Sequence, residues 1–152
     1  LADAYICHLI GEIKPYMDAH YRTMPEAEHT ALFGYSLGGL TAVYTLYKTD
    51  VFGVVGSLSG SLWYDGFGEF MERNKPLNGN AKVYLSLGKK EKQSRNPRMS
   101  RVAECTERAE NILTKQLTQA VCFEWNEGGH FDNIPKRFEK AVVWWMKTGS
   151  DV

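Results

Sequence analysis

Residues 30–40, TALFGYSLGGL, decide the fold. A short apolar run at 31–33 leads into GYSLG at 34–38, and a helix-like sequence follows. Strand, tight turn and helix in this order predict a nucleophile elbow, in which one serine is held in a strained backbone geometry above the sheet. We therefore predict that Ser36 is a nucleophile. We also expect Gly34 and Gly38 to be required, because a β-carbon at either position would collide with the neighbouring strand or helix.

Strand-like and helix-like segments alternate on both sides of this stretch. A first helix is predicted from residue 1 to about 22, with a break at Pro15 and an apolar stripe of Leu1, Tyr5, Leu9, Ile13 and Tyr16/Met17. Strands are predicted at 30–35, 52–58, 82–87 and 120–125, and helices at 37–48, 66–74, 101–119 and 134–147. This alternation indicates an α/β fold, with a parallel sheet of about four strands and helices on both faces. A length of 152 residues suits a single domain, 1–152.

Composition narrows the classes of function. Apolar residues make up 43% of the chain, and the 18 basic residues equal the 18 acidic ones. Net charge therefore gives no reason to expect nucleic acid or an anionic membrane as a partner. No apolar run approaches the length of a membrane span, and no signal-peptide pattern is present, so a cytoplasmic or a periplasmic location stays open.

No cofactor and no metal is expected. The sequence has no Walker loop, no G-x-G-x-x-G and no metal-ligand spacing. Cys7, Cys105 and Cys122 show no paired spacing, so they are interpreted as buried small hydrophobes, and the redox compartment is undecided.

The position of each histidine in the chain selects one partner for Ser36. In open parallel sheets the ligand crevice lies at the carboxyl ends of the strands, where Ser36 is predicted. His8 and His20 fall in the first helix, and His29 precedes a strand. Only His130 follows a strand, in the loop NEGGHFDN at 126–133, so it is the candidate general base.

An acid is needed to hold the imidazole in one tautomer. Glu91, in the loop after the third strand, lies between the serine and the histidine in the order Ser, acid, His. Three lysines flank Glu91, and the same sequence would be expected if Glu91 were part of a run of solvated surface charges. Asp132 is interpreted as a helix-cap or loop residue, and Asp65 is a more distant alternative.

The loop at 59–65 supplies candidates for substrate binding. Trp63 is a candidate wall of the acyl or alcohol pocket, with Ser59 or Ser61 lending hydroxyls, although aromatic packing under a loop fits equally. Tyr35, beside the nucleophile, is a further candidate. The basic loop at 89–101 suits an anionic substrate, but a solvated surface explains the same charges.

Several segments together resemble one branch of the α/β-hydrolases, the "putative esterase" family of siderophore esterases, esterase D and feruloyl or acetyl-xylan esterases. The segments are GEIKPYMDAHY (11–21), FGYSLGGL (33–40), FGVVGSLSGSLWY (52–64), VYLSLGKKE (83–91), GGHFDN (128–133) and the WWM helix. The resemblance implies that Ser36 and His130 are catalytic. It implies Glu91 as the acid less directly, because some siderophore esterases work with a serine–histidine pair alone. Tyr35 stands where the family often has histidine.

Length is the main departure from the family, whose members carry about four more strands before the first helix. The resemblance therefore implies that this chain is the carboxyl-terminal half of the fold. The backbone N–H of Leu37 would be one oxyanion donor, and the second would come from a loop after an earlier strand. The strand from Thr30 to Tyr35 would then be an open edge, so we expect a homo-oligomer through it, or a longer protein.

The sequence thus predicts a serine hydrolase that acts on small-molecule carboxylic esters, including siderophore or acyl esters, through an acyl-enzyme. A non-catalytic fragment or pseudo-hydrolase module, and an acyltransferase that uses the same serine, remain as alternatives.

Overall fold

The computed structural model of the chain describes residues 1–148. Four strands, β1 (Ala31–Tyr35), β2 (Val54–Leu58), β3 (Lys82–Gly88) and β4 (Val121–Asn126), form one parallel sheet in the order β1-β2-β3-β4. Helices follow each strand: α3 (Leu37–Thr45), α4 (Phe67–Arg73), α5 (Val102–Gln116) and α6 (Ile134–Thr148). The predicted α/β fold, a four-stranded parallel sheet with helices, is confirmed.

The sheet separates two apolar layers. One lies beneath α3, α4 and α5 and contains Val43, Val55, Leu85 and Leu113. The other lies beneath α6, where Leu58, Tyr84 and Ala141 meet Phe33 and Trp144. All five residues of β2 are buried, as expected for a central parallel strand that is covered on both faces.

The first helix differs from its prediction. It consists of α1 (Ala2–His8), a π-helical segment (Leu9–Ile13) and α2 (Lys14–His20), with Pro15 in the first turn of α2. Because proline has no N–H, it cannot continue the α-helical hydrogen bonds, and the widened segment lies just before it. Within this stretch only Ile6 is buried, while most of the predicted apolar stripe is exposed: Leu1, Tyr5, Ile13, Tyr16 and Met17.

No helix within residues 1–148 combines the length and the apolar character that a bilayer crossing requires.

Candidate active site

Three polar side chains from distant parts of the sequence meet at the carboxyl edge of the sheet. Ser36 follows β1, Glu91 begins a short 3₁₀ turn after β3, and His130 lies in the loop after β4. His130 Nε2 is 3.2 Å from Ser36 Oγ, and His130 Nδ1 is 2.8 Å from Glu91 Oε2. Since an ionised carboxylate only accepts, Nδ1 carries the proton, and Nε2 is left to accept the hydroxyl proton of Ser36. A histidine held in this way can act as a general base toward the serine.

Ser36 has the backbone geometry of an elbow. Its φ of 56° and ψ of −117° lie outside the regions that residues with a β-carbon prefer. Its amide donates to Leu58 O on β2 at 3.0 Å, and its carbonyl accepts from Ser61 N at 2.9 Å. Backbone hydrogen bonds to two neighbouring segments therefore hold the strained residue in place.

The glycines around Ser36 are not equivalent. A β-carbon on Gly34 would lie 2.1 Å from the carbonyl oxygen of Gly38, and one on Gly39 would lie 2.8 Å from Ser57 Oγ. A β-carbon on Gly38 would meet no atom within 4 Å. The prediction that Gly38 is required by a collision is therefore wrong, because its missing side chain would point into open space. The close approach of strand and helix requires Gly34 and Gly39.

Glu91 is buried, contrary to the alternative of a solvated charge run. Its Oε1 accepts hydrogen bonds from Ser59 Oγ at 2.5 Å, Gly88 N at 2.7 Å and Arg137 Nη1 at 3.1 Å. Burial by itself raises the pKa of the Glu91 carboxyl, but the hydrogen bonds from Ser59, His130, Gly88 and Arg137 outweigh it and lower the pKa below its usual value. Glu91 is therefore an ionised acceptor for the histidine.

The two alternative acids lie elsewhere. Asp132 Oδ2 accepts the backbone N–H of Gly129 at 2.7 Å, which is the loop-capping role expected of it. Asp65 pairs with Arg98 at 3.2 Å, and both side chains are largely exposed. Neither has a hydrogen bond to His130 among the contacts within residues 1–148.

Two of the residues predicted to bind substrate lie behind the carboxyl edge of the sheet. Ser59 is 1% exposed and donates to Glu91, so it supports the acid and is closed to a ligand. The ring of Tyr35 is 5.2 Å from the His130 ring and 6.4 Å from that of Phe138 on α6. Burial raises the pKa of the Tyr35 hydroxyl, although the nearby Ser59 hydroxyl opposes that effect.

The third residue predicted to bind substrate, Trp63, lines an open cavity of about 370 Å³ beside the histidine. Phe131 and Lys90 line it as well, together with His130 and Glu91. Ser61 also faces the site, since its Oγ is 3.4 Å from Ser36 Oγ. This cavity gives a ligand direct access to the imidazole.

Leu37 is the first residue of α3, directly after Ser36. The N–H groups of the first helical turn have no acceptor within the helix, so the amide of Leu37 is available to an oxyanion beside Ser36. Among residues 1–148, no three His, Cys, Asp or Glu side chains are grouped as a metal ion would require.

Sequence reasoning missed Arg137, which is buried and contacts Glu91. It lies past the histidine in the chain, outside the order Ser, acid, His. A signal was present: Arg137 stands four residues before Ala141, on the buried face of α6. A charged residue on the apolar face of a helix indicates a buried partner.

The chain belongs to the family described as "Putative esterase", whose model matches residues 1–133. This confirms the resemblance drawn from the sequence. The chain is 25% identical over 145 residues to the uncharacterized protein YbbA of Bacillus subtilis (strain 168), covering 92% of this chain and 58% of YbbA.

Solved structures have the same fold. The enterobactin esterase Fes of Shigella flexneri matches with a TM-score of 0.74 and 20% identity, over 92% of this chain and 36% of Fes. The siderophore hydrolase EstA of Aspergillus nidulans matches with a TM-score of 0.75 and 20% identity, over 98% of this chain and 59% of EstA. The chain thus spans less than two thirds of the length of these relatives.

Proposed function

We propose that this chain carries the catalytic site of a serine esterase. The observation that carries the proposal is the hydrogen-bonded series Ser36–His130–Glu91, with distances of 3.2 and 2.8 Å. Membership of an esterase family supports it independently. The backbone strain at Ser36, which exposes a hydroxyl at the carboxyl edge of the sheet, is a third support.

In the proposed reaction, His130 Nε2 removes the hydroxyl proton while Ser36 Oγ bonds to the ester carbonyl carbon. The carbonyl oxygen becomes an oxyanion, which the N–H of Leu37 stabilises. The carbon–oxygen bond to the alcohol then breaks, and the imidazolium returns its proton to the leaving oxygen. His130 then deprotonates a water molecule, whose oxygen bonds to the acyl carbon. The bond from that carbon to Ser36 Oγ breaks, His130 returns the proton to Ser36, and the carboxylic acid is released. Glu91 keeps the imidazole oriented and stabilises its charged form throughout.

The substrate class that we propose is a small-molecule ester with an aromatic portion. Trp63 and Phe131 line the cavity beside His130, and Phe131 is 80% exposed, so its ring is open to a ligand. Flat apolar side chains favour aromatic groups. Two similar structures agree with an aromatic substrate: a ferulic acid esterase, and the enterobactin esterase Fes in the presence of 2,3-dihydroxy-N-benzoyl-serine.

Replacement of the nucleophile tests the proposal. Ser36→Ala should lower the hydrolysis of p-nitrophenyl acetate by about 10³-fold or more, because the proposed acyl-enzyme forms on Ser36 Oγ. A fluorophosphonate probe should label Ser36 of the wild-type chain, and the neighbouring Ser61, 3.4 Å away, should stay unlabelled in the same peptide map. Equal hydrolysis by wild type and Ser36→Ala would end the proposal.

We also propose that two copies of the chain associate through β1. Within residues 1–148, β1 has a sheet neighbour on one side only. A groove of about 430 Å³ runs beside it, with the exposed side chains of Ile13, Met17 and Met24 in its lining. Two such edges are self-complementary, because antiparallel pairing about a twofold axis satisfies both sets of backbone groups.

A further inference from the structure

Arg137 is a fully buried charged residue outside the serine–histidine–glutamate series. It lies on α6, and only 1% of its surface is exposed. A buried guanidinium is costly unless its N–H groups are paired, so its position calls for a specific role or specific partners. Its partners are all parts of the candidate site.

The guanidinium of Arg137 contacts the segments that follow β3 and β4. Its Nη1 donates to Glu91 Oε1 at 3.1 Å and also to Ser59 Oγ, while its Nη2 donates to the carbonyl of Gly129 at 2.7 Å. Glu91 follows β3, and Gly129 immediately precedes His130 in the loop after β4. One side chain from α6 therefore holds both the acid and the backbone next to the histidine.

The two carboxylate oxygens of Glu91 have different partners. Oε1 receives the hydrogen bonds of Arg137, Ser59 and Gly88, and Oε2 faces His130 Nδ1. Rotation of the carboxylate would break three hydrogen bonds at once. The charge of Arg137 also balances that of Glu91, so that a negative carboxylate is tolerated in a buried position.

We propose that Arg137 is a positioning residue of the esterase site, one that fixes Glu91 and the His130 loop so that the imidazole faces Ser36. The inference rests on the proposed function. Arg137 itself touches no reacting atom, and its effect on the chemistry passes through Glu91 and His130.

Kinetics of Arg137 variants test this role. Arg137→Gln should lower kcat by about 10²-fold and leave KM nearly unchanged, because a small displacement of a catalytic group affects the transition state and not substrate binding. Arg137→Lys should recover part of the loss, since it keeps the charge but not the forked geometry. Arg108→Gln, which removes an arginine that is paired with Glu69 and Glu72 on the surface, is the matched control and should leave kcat unchanged.

A double-mutant cycle separates positioning from general stability. In a Glu91→Gln background, Arg137→Gln should cost little further activity, because the group that it positions is already disabled. A full, additive loss in that background would overturn the proposal. So would an Arg137→Gln protein with the kcat of wild type.

A proton NMR measurement tests the positioning role without any substrate, so its result does not depend on esterase activity. The Nδ1 proton of His130 should give a slowly exchanging, downfield proton NMR signal in the wild-type chain, assigned by its absence in His130→Asn. The signal should persist in Arg108→Gln and disappear in Arg137→Gln and Glu91→Gln, each first shown to be folded by thermal unfolding. If Arg137→Gln does not fold, Arg137→Lys is measured in its place and should show a weakened signal. An unchanged signal in the folded Arg137 variant would overturn the positioning role, even if the wild-type chain hydrolysed no ester.

Discussion

At the scale of single residues, Glu91 connects the candidate site to the stability of the fold. It is a buried carboxylate whose pKa is lowered by the net effect of its hydrogen bonds, despite the opposing effect of burial. The unfolded chain therefore binds this proton more readily than the folded chain does. It follows that Glu91 contributes stability fully above its unfolded pKa, and that this contribution is lost as pH falls through the lower, folded value.

Glu91→Gln should accordingly flatten the acid dependence of stability. As pH falls below about 4.5, the ordinary pKa of a glutamate carboxyl, the free energy of unfolding of the wild type should fall more steeply than that of the variant, because the amide takes up no proton. Urea unfolding at a series of pH values measures the two slopes. Glu107→Gln, on an exposed position of α5, is the control and should keep the wild-type slope. Parallel slopes for wild type and Glu91→Gln would contradict the prediction.

At the residue level, chain order and strand ends were enough to predict where three polar side chains would lie. Ser36 follows β1 and His130 follows β4, and their side chains meet at 3.2 Å; Glu91 follows β3. Sequence could not tell whether Glu91 would be buried or solvated, because its lysine neighbours suit either outcome. It also misassigned Ser59, whose hydroxyl points into the protein, since the direction of a loop side chain depends on a backbone φ of 46° that no pattern reveals.

At the scale of elements, the elbow depends on how closely β1 and α3 approach. Gly34 lies beneath the first turn of the helix, where a β-carbon would overlap the carbonyl of Gly38 at 2.1 Å. Gly38 lies within α3 with open space around it. We therefore expect alanine to have opposite effects on stability at these two glycines of the same motif.

Gly34→Ala should destabilise the fold by about 3 kcal/mol or more, because backbone atoms would have to move to admit the methyl group. Gly38→Ala should be neutral or stabilising by about 0.5–1 kcal/mol, since alanine loses less conformational entropy in a helix. Chemical denaturation of both variants gives the comparison directly. Similar losses in the two variants would show that the elbow tolerates no side chain at either end.

Element-level prediction was accurate where hydrophobic patterning reflects burial. The four strands begin and end within about two residues of their predicted limits, because their apolar runs are the centre of the sheet. The first helix was less predictable. Pro15 indicated an interruption, but its form, a π-helical segment at Leu9–Ile13, depends on how the chain relaxes around the missing N–H. The apolar stripe of this helix predicted a buried face. Within residues 1–148, however, most of its side chains are exposed.

At the scale of the whole molecule, the alternation of strands and helices was enough to predict the sheet. Each crossover connects neighbouring parallel strands, so the spatial order β1-β2-β3-β4 repeats the chain order. The residues that meet at the candidate site were less predictable, because Ser36, Glu91, His130 and Arg137 come from four separate segments. The contact of Arg137 with Glu91 depends on the packing of α6 against the sheet, which local patterns do not encode.

Within residues 1–148 the same topology leaves β1 at an edge with an apolar groove beside it, and from this we expect a dimer. Sedimentation velocity should show a dimer whose population rises with protein concentration, because the exposed side chains of Met17 and Met24 would be buried in the contact. Met17→Lys combined with Met24→Lys should shift the chain to monomer, since burying two added charges opposes association. Leu77→Lys changes a residue outside the groove that is as exposed as Met24, and should leave the dimer intact. A wild-type chain that stays monomeric at all concentrations, with rapid amide exchange along β1, would contradict self-association and leave this edge free for a different chain segment.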